Sequence, residues 1–457
     1  MVDIRVLVEK QRNYFLSGVT LPLETRIENL KKLKAAILKY EDKLTEALYK
    51  DLHKSKFESY EAEIGIVLDE ISHMLKHLPK YMKRERVSVP LTHVPATSYV
   101  YHEPYGVILI MAPWNYPVQL ALNPLVGAIA GGNCAVMKTS ATVPATSAVL
   151  YEMLKETFPE EYVAVVEGKY KESRDLPDEK FDLIFFTGSV GIGKQIMERA
   201  AKHLTPVVLE LGGKSPCIVD ETADLVMAAK RIAWGKSLNA GQTCVAPDYL
   251  LVQSSVKDAL VEELKKAIPA LLTEDMLKNE DFPHIITDHH VERLSNLIQT
   301  GKVVYGGRVD KVNRSIEMTV VDEVKWDDPL MQEELFGPIL PVVTYETREE
   351  MIETLNRKEK PLALYLFTKN KETEKQVMER LAFGGGCVND TIMHIASNHI
   401  AFGGVGNSGM GAYHGKQSFL TFTHAKGVVK KPKLLDLPFR YPPYTEGKLK
   451  ILKMFMK

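Results

Sequence analysis

Cys244 lies in Asn239-Ala240-Gly241-Gln242-Thr243-Cys244-Val245-Ala246-Pro247, a tight glycine-bearing segment, and Glu210 opens Glu210-Leu211-Gly212-Gly213-Lys214 upstream of it. A thiol with a carboxylate in reserve suits an enzyme that binds its substrate covalently, as a thiohemiacetal or thioester, and then releases it. A single loop cysteine also reads as a packing residue, and both readings stand for this segment alone. Cys134 and Cys217, in apolar strand contexts, read as small core residues. The segment Ala112-Pro113-Trp114-Asn115-Tyr116-Pro117 ends an apolar run, and its prolines fix a loop at the carboxyl edge of a sheet, where such sheets bind ligands. Asn115 offers an amide donor to a developing oxyanion there, although loop packing explains the prolines and Trp114 equally well.

Phe185-Phe186-Thr187-Gly188-Ser189-Val190-Gly191-Ile192-Gly193-Lys194 leaves a strand and enters a helix. Backbone N–H groups and the helix dipole at such a turn favour an anion, so either a phosphate site or a plain tight turn is expected. The spacing is not Gly-x-Gly-x-x-Gly, and Gln195 stands where a phosphate loop that holds magnesium needs a hydroxyl, so nucleotide hydrolysis is disfavoured. Lys138, at a strand end, is a ribose or phosphate ligand or simply a solvated lysine. His73 and His77 share a helix face, and His284, His289 and His290 cluster with Asp288, but no His-Glu-x-x-His frame or cysteine partner accompanies either group. No metal is expected.

These residues must be positioned by a chain of 457 residues, enough for two or three domains. Lys and Arg total 58 against 59 Asp and Glu, which gives no reason to expect a nucleic-acid partner. Four well-separated cysteines fit a reducing, cytoplasmic setting. Charges through Met1–Gly18 leave no signal-peptide core, and no apolar run is long enough to span a bilayer, so stable membrane insertion is not expected. The tail from Lys448 to Lys457 is basic and apolar; a packed or frayed terminus is expected over membrane contact.

Thr25-Arg26-Ile27-Glu28 has the form of a capping box, and Leu30, Leu33, Ile37, Tyr40, Leu44 and Leu48 predict an amphipathic helix over 26–50. A second helix is predicted over 58–82, then extended segments at Val87–Val89 and Tyr99–Tyr101 that pair outside the first domain. Apolar runs at Val107–Met111, Ala135–Lys138, Val163–Glu167, Leu183–Phe186 and Val207–Leu211 alternate with helical stretches. A second series has strands near Tyr249–Val252, Pro341–Val343 and Leu364–Thr368, with helices near 256–270, 347–357 and 371–381. Such alternation predicts two open, mostly parallel α/β domains.

Together, Pro113–Pro117, Lys138, Phe186–Gly193, Glu210–Lys214, Gly241–Pro247, Glu333-Glu334-Leu335-Phe336-Gly337-Pro338 and Phe402–Gly411 occur in the order seen in aldehyde dehydrogenases. The chain resembles that family over nearly its whole length. With its short length and Ala412-Tyr413-His414-Gly415-Lys416 ending, it is most similar to the class 3 branch of fatty and aromatic aldehyde dehydrogenases. The resemblance implies an NAD(P)-dependent oxidation of aldehydes to carboxylic acids, with Cys244 as nucleophile, Asn115 as oxyanion donor and Glu210 as general base for water. It further implies that Glu334 and Phe336 meet the nicotinamide end of the cofactor, that Lys138 meets the adenine-side ribose, and that Gly188, Ser189 and Gly193 form the cofactor turn, with Trp114 nearby. A Rossmann-like cofactor domain over 1–82 and 105–210, a catalytic domain over 211–412, and a small β bridging or oligomerisation element from 83–104 and 413–457 follow, as does a homodimer. Two positions depart from the family pattern. Val190 replaces a usual threonine. Ala141 stands where NAD-preferring members often carry a glutamate, so NADP is expected to be accepted alongside NAD. A coenzyme A-acylating relative, a thiol esterase and a relic without chemistry are the rivals. Glu210 argues against the first, and the presence of Cys244, Glu210 and Asn115 against the last.

Overall fold

The alternation of apolar and amphipathic runs resolves into two open sheets in the computed structural model, which describes residues 3–168, 171–433 and 440–456. The first has the strand order Gly409–Met410, Val207–Leu211, Leu183–Gly188, Val107–Met111, Cys134–Lys138, Val163–Val166. Only Gly409–Met410 is antiparallel to its neighbour. Every residue of Val107–Met111 is buried, as expected for a central parallel strand covered on both faces. From that strand the chain first builds outward through Cys134–Lys138 to Val163–Val166, then returns to the other side with Leu183–Gly188. The order therefore reverses beside Val107–Met111. The loops leaving its carboxyl end and that of Leu183–Gly188 flank the crevice where open α/β sheets take ligands.

The second sheet runs Lys302–Tyr305, Thr319–Asp322, Ile339–Tyr345, Tyr249–Gln253, Pro216–Val219, Ala363–Phe367, Gly385–Val388, and only Lys302–Tyr305 is antiparallel. A third, small sheet joins Glu85–Val87, Thr97–Pro104 and Thr423–Lys430, all antiparallel. The expected fold class, mixed α/β with mainly parallel sheets, is borne out. One apolar cluster runs through both large sheets and the helices against them.

The first predicted helix forms over Leu23–Leu52 and buries Leu30, Leu33, Ile37, Tyr40, Leu44 and Leu48. Its start differs from expectation. Pro22, extended and without a side-chain cap, is the N-cap, so Thr25 lies inside the first turn and the capping box does not form. Arg26 is instead drawn inward, its guanidinium donating to the carbonyls of Thr20 and Ala130. The second predicted helix is interrupted: Lys56–Ser59 passes through a π turn, Tyr60–Ile64, into Gly65–Tyr81. Val89 lies outside the strand that covers Glu85–Val87. The tail forms a helix, Glu446–Phe455; Lys457 lies outside the described residues.

Candidate active site

The loop that follows Val107–Met111 carries Asn115, and its buried side chain reaches across to the cysteine-bearing segment. Asn115 Nδ2 donates to the Gln242 carbonyl at 3.1 Å, while Asn239 Nδ2 donates to the Asn115 carbonyl at 2.8 Å and to the Gln242 carbonyl at 3.0 Å. Tyr116 and Thr243 share a hydroxyl contact at 2.7 Å. The two loops are thus sewn together just ahead of Cys244. Only one of the two Asn115 amide hydrogens is used in that bond, which leaves a donor beside the thiol segment.

Backbone strain sharpens the turn. Asn239, Ala240 and Gly241 have φ of 49°, 50° and 72°, three successive left-handed residues, a conformation that costs roughly 1 kcal/mol or more at each non-glycine position. Gly241 has no alternative, because a Cβ there would sit 2.4 Å from the Gly337 carbonyl oxygen. Gln242 locks the turn by accepting from the Ile286 N–H at 3.0 Å and donating to the His284 carbonyl at 3.0 Å.

Behind Asn115 stands a buried charge network that the sequence reading missed. Lys54 Nζ donates to Glu63 at 2.5 Å and to the Asn115 carbonyl at 2.8 Å, and lies 3.9 Å from the centre of the Tyr116 ring. Neither Lys54 nor Glu63 has any side-chain exposure. The second Glu63 oxygen accepts from the N–H groups of Val118 and Gln119 at 2.8 and 3.1 Å. Glu58 accepts from the Asn239 N–H at 2.7 Å, and burial raises its carboxyl to about 7.

Glu210 ends the strand Val207–Leu211, opposite Thr187 on one side and Gly409 on the other. A Cβ at Gly409, with φ of 141°, would lie 2.0 Å from the Leu209 carbonyl oxygen, so glycine is required for this strand to be capped. Both Glu210 carboxyl oxygens are buried and have no hydrogen-bond partner among the described residues, and burial pushes the group well above the ordinary carboxylate range. Cys244 keeps partial exposure. Burial, then the neighbouring Glu334 and Glu210, push its thiol up, while the N–H groups of Cys244 and Val245 act in the opposite direction. Both carboxylates therefore lie within electrostatic reach of the sulfur.

Glu334 and Phe336 are held by Lys214 and Asp248. Lys214 Nζ donates to Asp248 at 2.5 Å and to the Leu330 and Glu333 carbonyls at 2.9 Å, and Asp248 accepts from the Leu335 N–H at 2.9 Å. Glu334 lies against the bare Cα of Gly212 and accepts from the Gly213 N–H; burial lifts it to about 8. Lys236, fully buried and with no hydrogen-bond partner for Nζ among the described residues, is held down to about 8 by burial. Its Cε would lie 3.2 Å from a Cβ at Gly241.

A cavity of about 690 Å³ starts at Ser189, Val190 and Gly191 and runs past Gly212 to Glu334. Ser189 caps the helix Val190–Ala201, accepting from the Ile192 N–H at 3.5 Å. Gly193 lies inside that helix against Leu211, and a Cβ at Gly191 would meet nothing within 4 Å. An open helix N-terminus at one end and a carboxylate at the other fit the phosphates and a ribose of a dinucleotide. Cys244, Asn115 and Glu210 are not among its lining residues, nor are Lys138, Phe336 and Trp114. Trp114 packs edge-on against Phe336 at 5.3 Å, next to His290. Lys138, at the end of its strand, is half-buried; burial, then Arg174, lower its ammonium.

A family model described as "Aldehyde dehydrogenase family" matches residues 2–428. The chain belongs to that family. It is 46% identical over 97% of each chain to the 4,4'-diaponeurosporen-aldehyde dehydrogenase of Staphylococcus aureus. To "Aldehyde dehydrogenase, dimeric NADP-preferring" of Canis lupus familiaris it is 43% identical over 97% of this chain and 98% of that one. Among solved structures, the substrate-bound state of Staphylococcus aureus AldH superimposes with a TM-score of 0.97 at 45% identity, covering 100% of both chains. The resemblance to class 3 holds, since further relatives carry the family 3 designation. This family member is an NAD(P)-dependent oxidoreductase, as expected.

Lys54, Glu63, Glu58 and Lys236 carried little signal in the sequence. A buried lysine is written like an exposed one, and the π turn places Glu58 and Glu63 in directions that a helical wheel misassigns. Gln242 and Thr243, by contrast, were legible as the polar neighbours of Cys244.

Proposed function

We propose that this chain oxidises aldehydes to carboxylic acids through a covalent Cys244 adduct. The sulfur attacks the aldehyde carbonyl, its proton passes to a neighbouring base, and the new oxyanion is held by the Asn115 amide and the Cys244 backbone N–H. NAD or NADP, when bound, would supply the hydride acceptor that takes the Cys244 adduct to the oxidation level of a thioester. Glu210 then takes a proton from water, the hydroxide adds to the acyl carbon, and the C–S bond breaks to give carboxylate and free thiol. A carboxyl with raised pKa and no partner is suited to this, being a stronger base than an exposed glutamate once ionised. Glu334, itself protonated below about pH 8, adds little repulsion to a thiolate at neutral pH.

Ser189 and the N-terminus of Val190–Ala201 would hold the cofactor phosphates. Lys138 would meet the adenine-side ribose, and Glu334, with Phe336 and Trp114 behind it, the nicotinamide ribose. Residues 1–82 and 105–210 then form the cofactor domain, 211–412 the catalytic domain, and 83–104 with 413–457 the bridging element of a homodimer. A cytoplasmic setting agrees with four free cysteines. Alanine at 141 removes a charge that would repel a 2′-phosphate, which favours use of NADP as well as NAD. The observation that carries the reading is the paired Asn115 and Gln242 loops, with Glu210 unpartnered beside the thiol. Absorbance of reduced cofactor, followed for a panel of aldehydes with NAD and NADP on the parent chain and Cys244→Ala, tests it. Aldehyde-dependent reduction that survives in Cys244→Ala would overturn the covalent route, and a thousandfold preference for NAD would overturn dual cofactor use.

A further inference from the structure

Two segments far apart in sequence meet behind Asn115 and the thiol turn: Leu52-His53-Lys54, which closes the helix Leu23–Leu52, and His284-Ile285-Ile286, which leads into the helix Asp288–Ile298. The His284 N–H donates to the Leu52 carbonyl at 2.9 Å, and Leu52 and Ile286 share a small apolar cluster with Val143, against Trp114. Beside these contacts the imidazoles of His53 and His284 lie face to face, their centres 3.9 Å apart and their planes 4° from parallel. His53 caps its helix with φ of 55°, where the backbone alone favours glycine, so what histidine adds there is its ring. Both rings are half-buried, and neither makes a hydrogen bond among the described residues, so they meet purely as faces. Parallel rings also point their nitrogen lone pairs along separate planes, which do not converge on a shared metal ion.

From this junction a closed circuit of contacts runs through the reacting groups. Lys54, next to His53, donates to the Asn115 carbonyl at 2.8 Å; Asn115 donates to the Gln242 carbonyl at 3.1 Å; and the Gln242 side chain is held at both ends, by the His284 carbonyl and the Ile286 N–H, each at 3.0 Å. We infer that His53 and His284 are positioning residues whose stacked rings close this circuit and so fix the Asn115 donor relative to the Cys244 thiol. With the rings gone, Lys54 and Gln242 are free to drift apart, and the Asn115 amide moves off the place where the oxyanion forms. Near neutral pH the stack is one of two uncharged rings. Burial lowers both, His284 to about 4, where His53 and Arg314 also oppose a charge and Asp310 favours one; Glu280 acts in favour of a charge on His53, and Tyr49 packs on that ring as well. Acid therefore opens the clamp, because two imidazolium faces at such a separation repel.

Because this role presupposes the proposed covalent Cys244 route, the readout is the single-turnover burst of reduced cofactor, followed by stopped-flow absorbance on the full chain. Near neutral pH, His284→Ala should slow the burst on the order of tenfold or more, while the aldehyde concentration that half-saturates it changes by less than about twofold, since neither ring touches substrate. His284→Phe, which stacks but cannot take a proton, should recover most of the lost rate. His53→Ala should match His284→Ala, and the double alanine variant should be no slower than either single one, as for two residues that act as one unit. The ratio of the parent burst constant to that of His284→Phe, in which ionisation of the thiol cancels, should stay level around neutral pH and fall as pH drops toward 4. A His284→Phe no faster than His284→Ala, a double variant slowed by the product of the two single effects, or a ratio indifferent to pH overturns the positioning role. A burst that survives in Cys244→Ala overturns instead the covalent route beneath it, and the role falls with that route.

Discussion

At Cys244 the electrostatics oppose the chemistry until something compensates. Burial disfavours the thiolate, so the free enzyme holds a protonated thiol, and Glu210, without a partner among the described residues, is the base kept for water in the second half-reaction. This division of labour predicts different failures. Cys244→Ala should lose all aldehyde-dependent cofactor reduction. Glu210→Gln should retain a single-turnover burst of reduced cofactor but lose steady-state turnover by roughly 10²–10⁴-fold, the range of a lost general base; stopped-flow absorbance separates the two, and a mutant without a burst would remove Glu210 from the second half-reaction alone. In the parent, deacylation should quicken as pH rises through the raised Glu210 value, because the ionised form is the base. Lys54 makes a second test. Lys54→Met leaves Glu63 buried without its cation, expected to cost about 3–5 kcal/mol. Chemical denaturation should read that loss, and KM for aldehyde should move less than kcat, since Lys54 steadies the Asn115 backbone and touches no substrate.

At the scale of elements, the left-handed turn before Cys244 and the helix N-terminus after Gly188 make opposite demands on their glycines. Gly241→Ala must both adopt a positive φ and push into the Gly337 carbonyl, so a loss of several kcal/mol in stability is expected. Gly191→Ala meets open space, so its thermal midpoint should stay within a degree or two while KM for the cofactor rises, as the added methyl faces the cavity that starts there. A midpoint drop of similar size in both variants would refute this contrast. Strands such as Val107–Met111 were readable to the residue because buried parallel strands are unbroken apolar runs. Pro216–Val219 was read only as an apolar strand context around Cys217, without bounds, because four residues are too few to show a period, and the π turn at Tyr60–Ile64 has no period to detect. The capping box at Thr25 misled for the converse reason: the pattern was present, but Pro22 had already begun the helix one turn earlier.

Stability of the whole molecule should depend on pH through the same buried network. Glu58 titrates near 7 in the folded chain against 4.5 when free, so between these values the native state binds the extra proton and stability falls as pH rises. The loss is bounded by about 3 kcal/mol. Glu58→Gln should flatten the curve of denaturation free energy between pH 5 and 7.5, and an unchanged slope would exonerate Glu58. The third sheet poses the last question at this scale. Among the described residues Thr423–Lys430 pairs with Thr97–Pro104 on one side only, and seven of its eight residues are exposed, Val429 by 59%. An unpaired edge of that length invites another strand, which suits the proposed homodimer. Because successive N–H groups along a strand point to opposite edges, proline at only one of the neighbouring positions Val428 and Val429 removes an outward donor. Light scattering should therefore find one of Val428→Pro and Val429→Pro monomeric at micromolar concentration. The other should stay dimeric but less stable, having lost an internal bond to Thr97–Pro104. Two dimers of parental mass would place the subunit interface elsewhere.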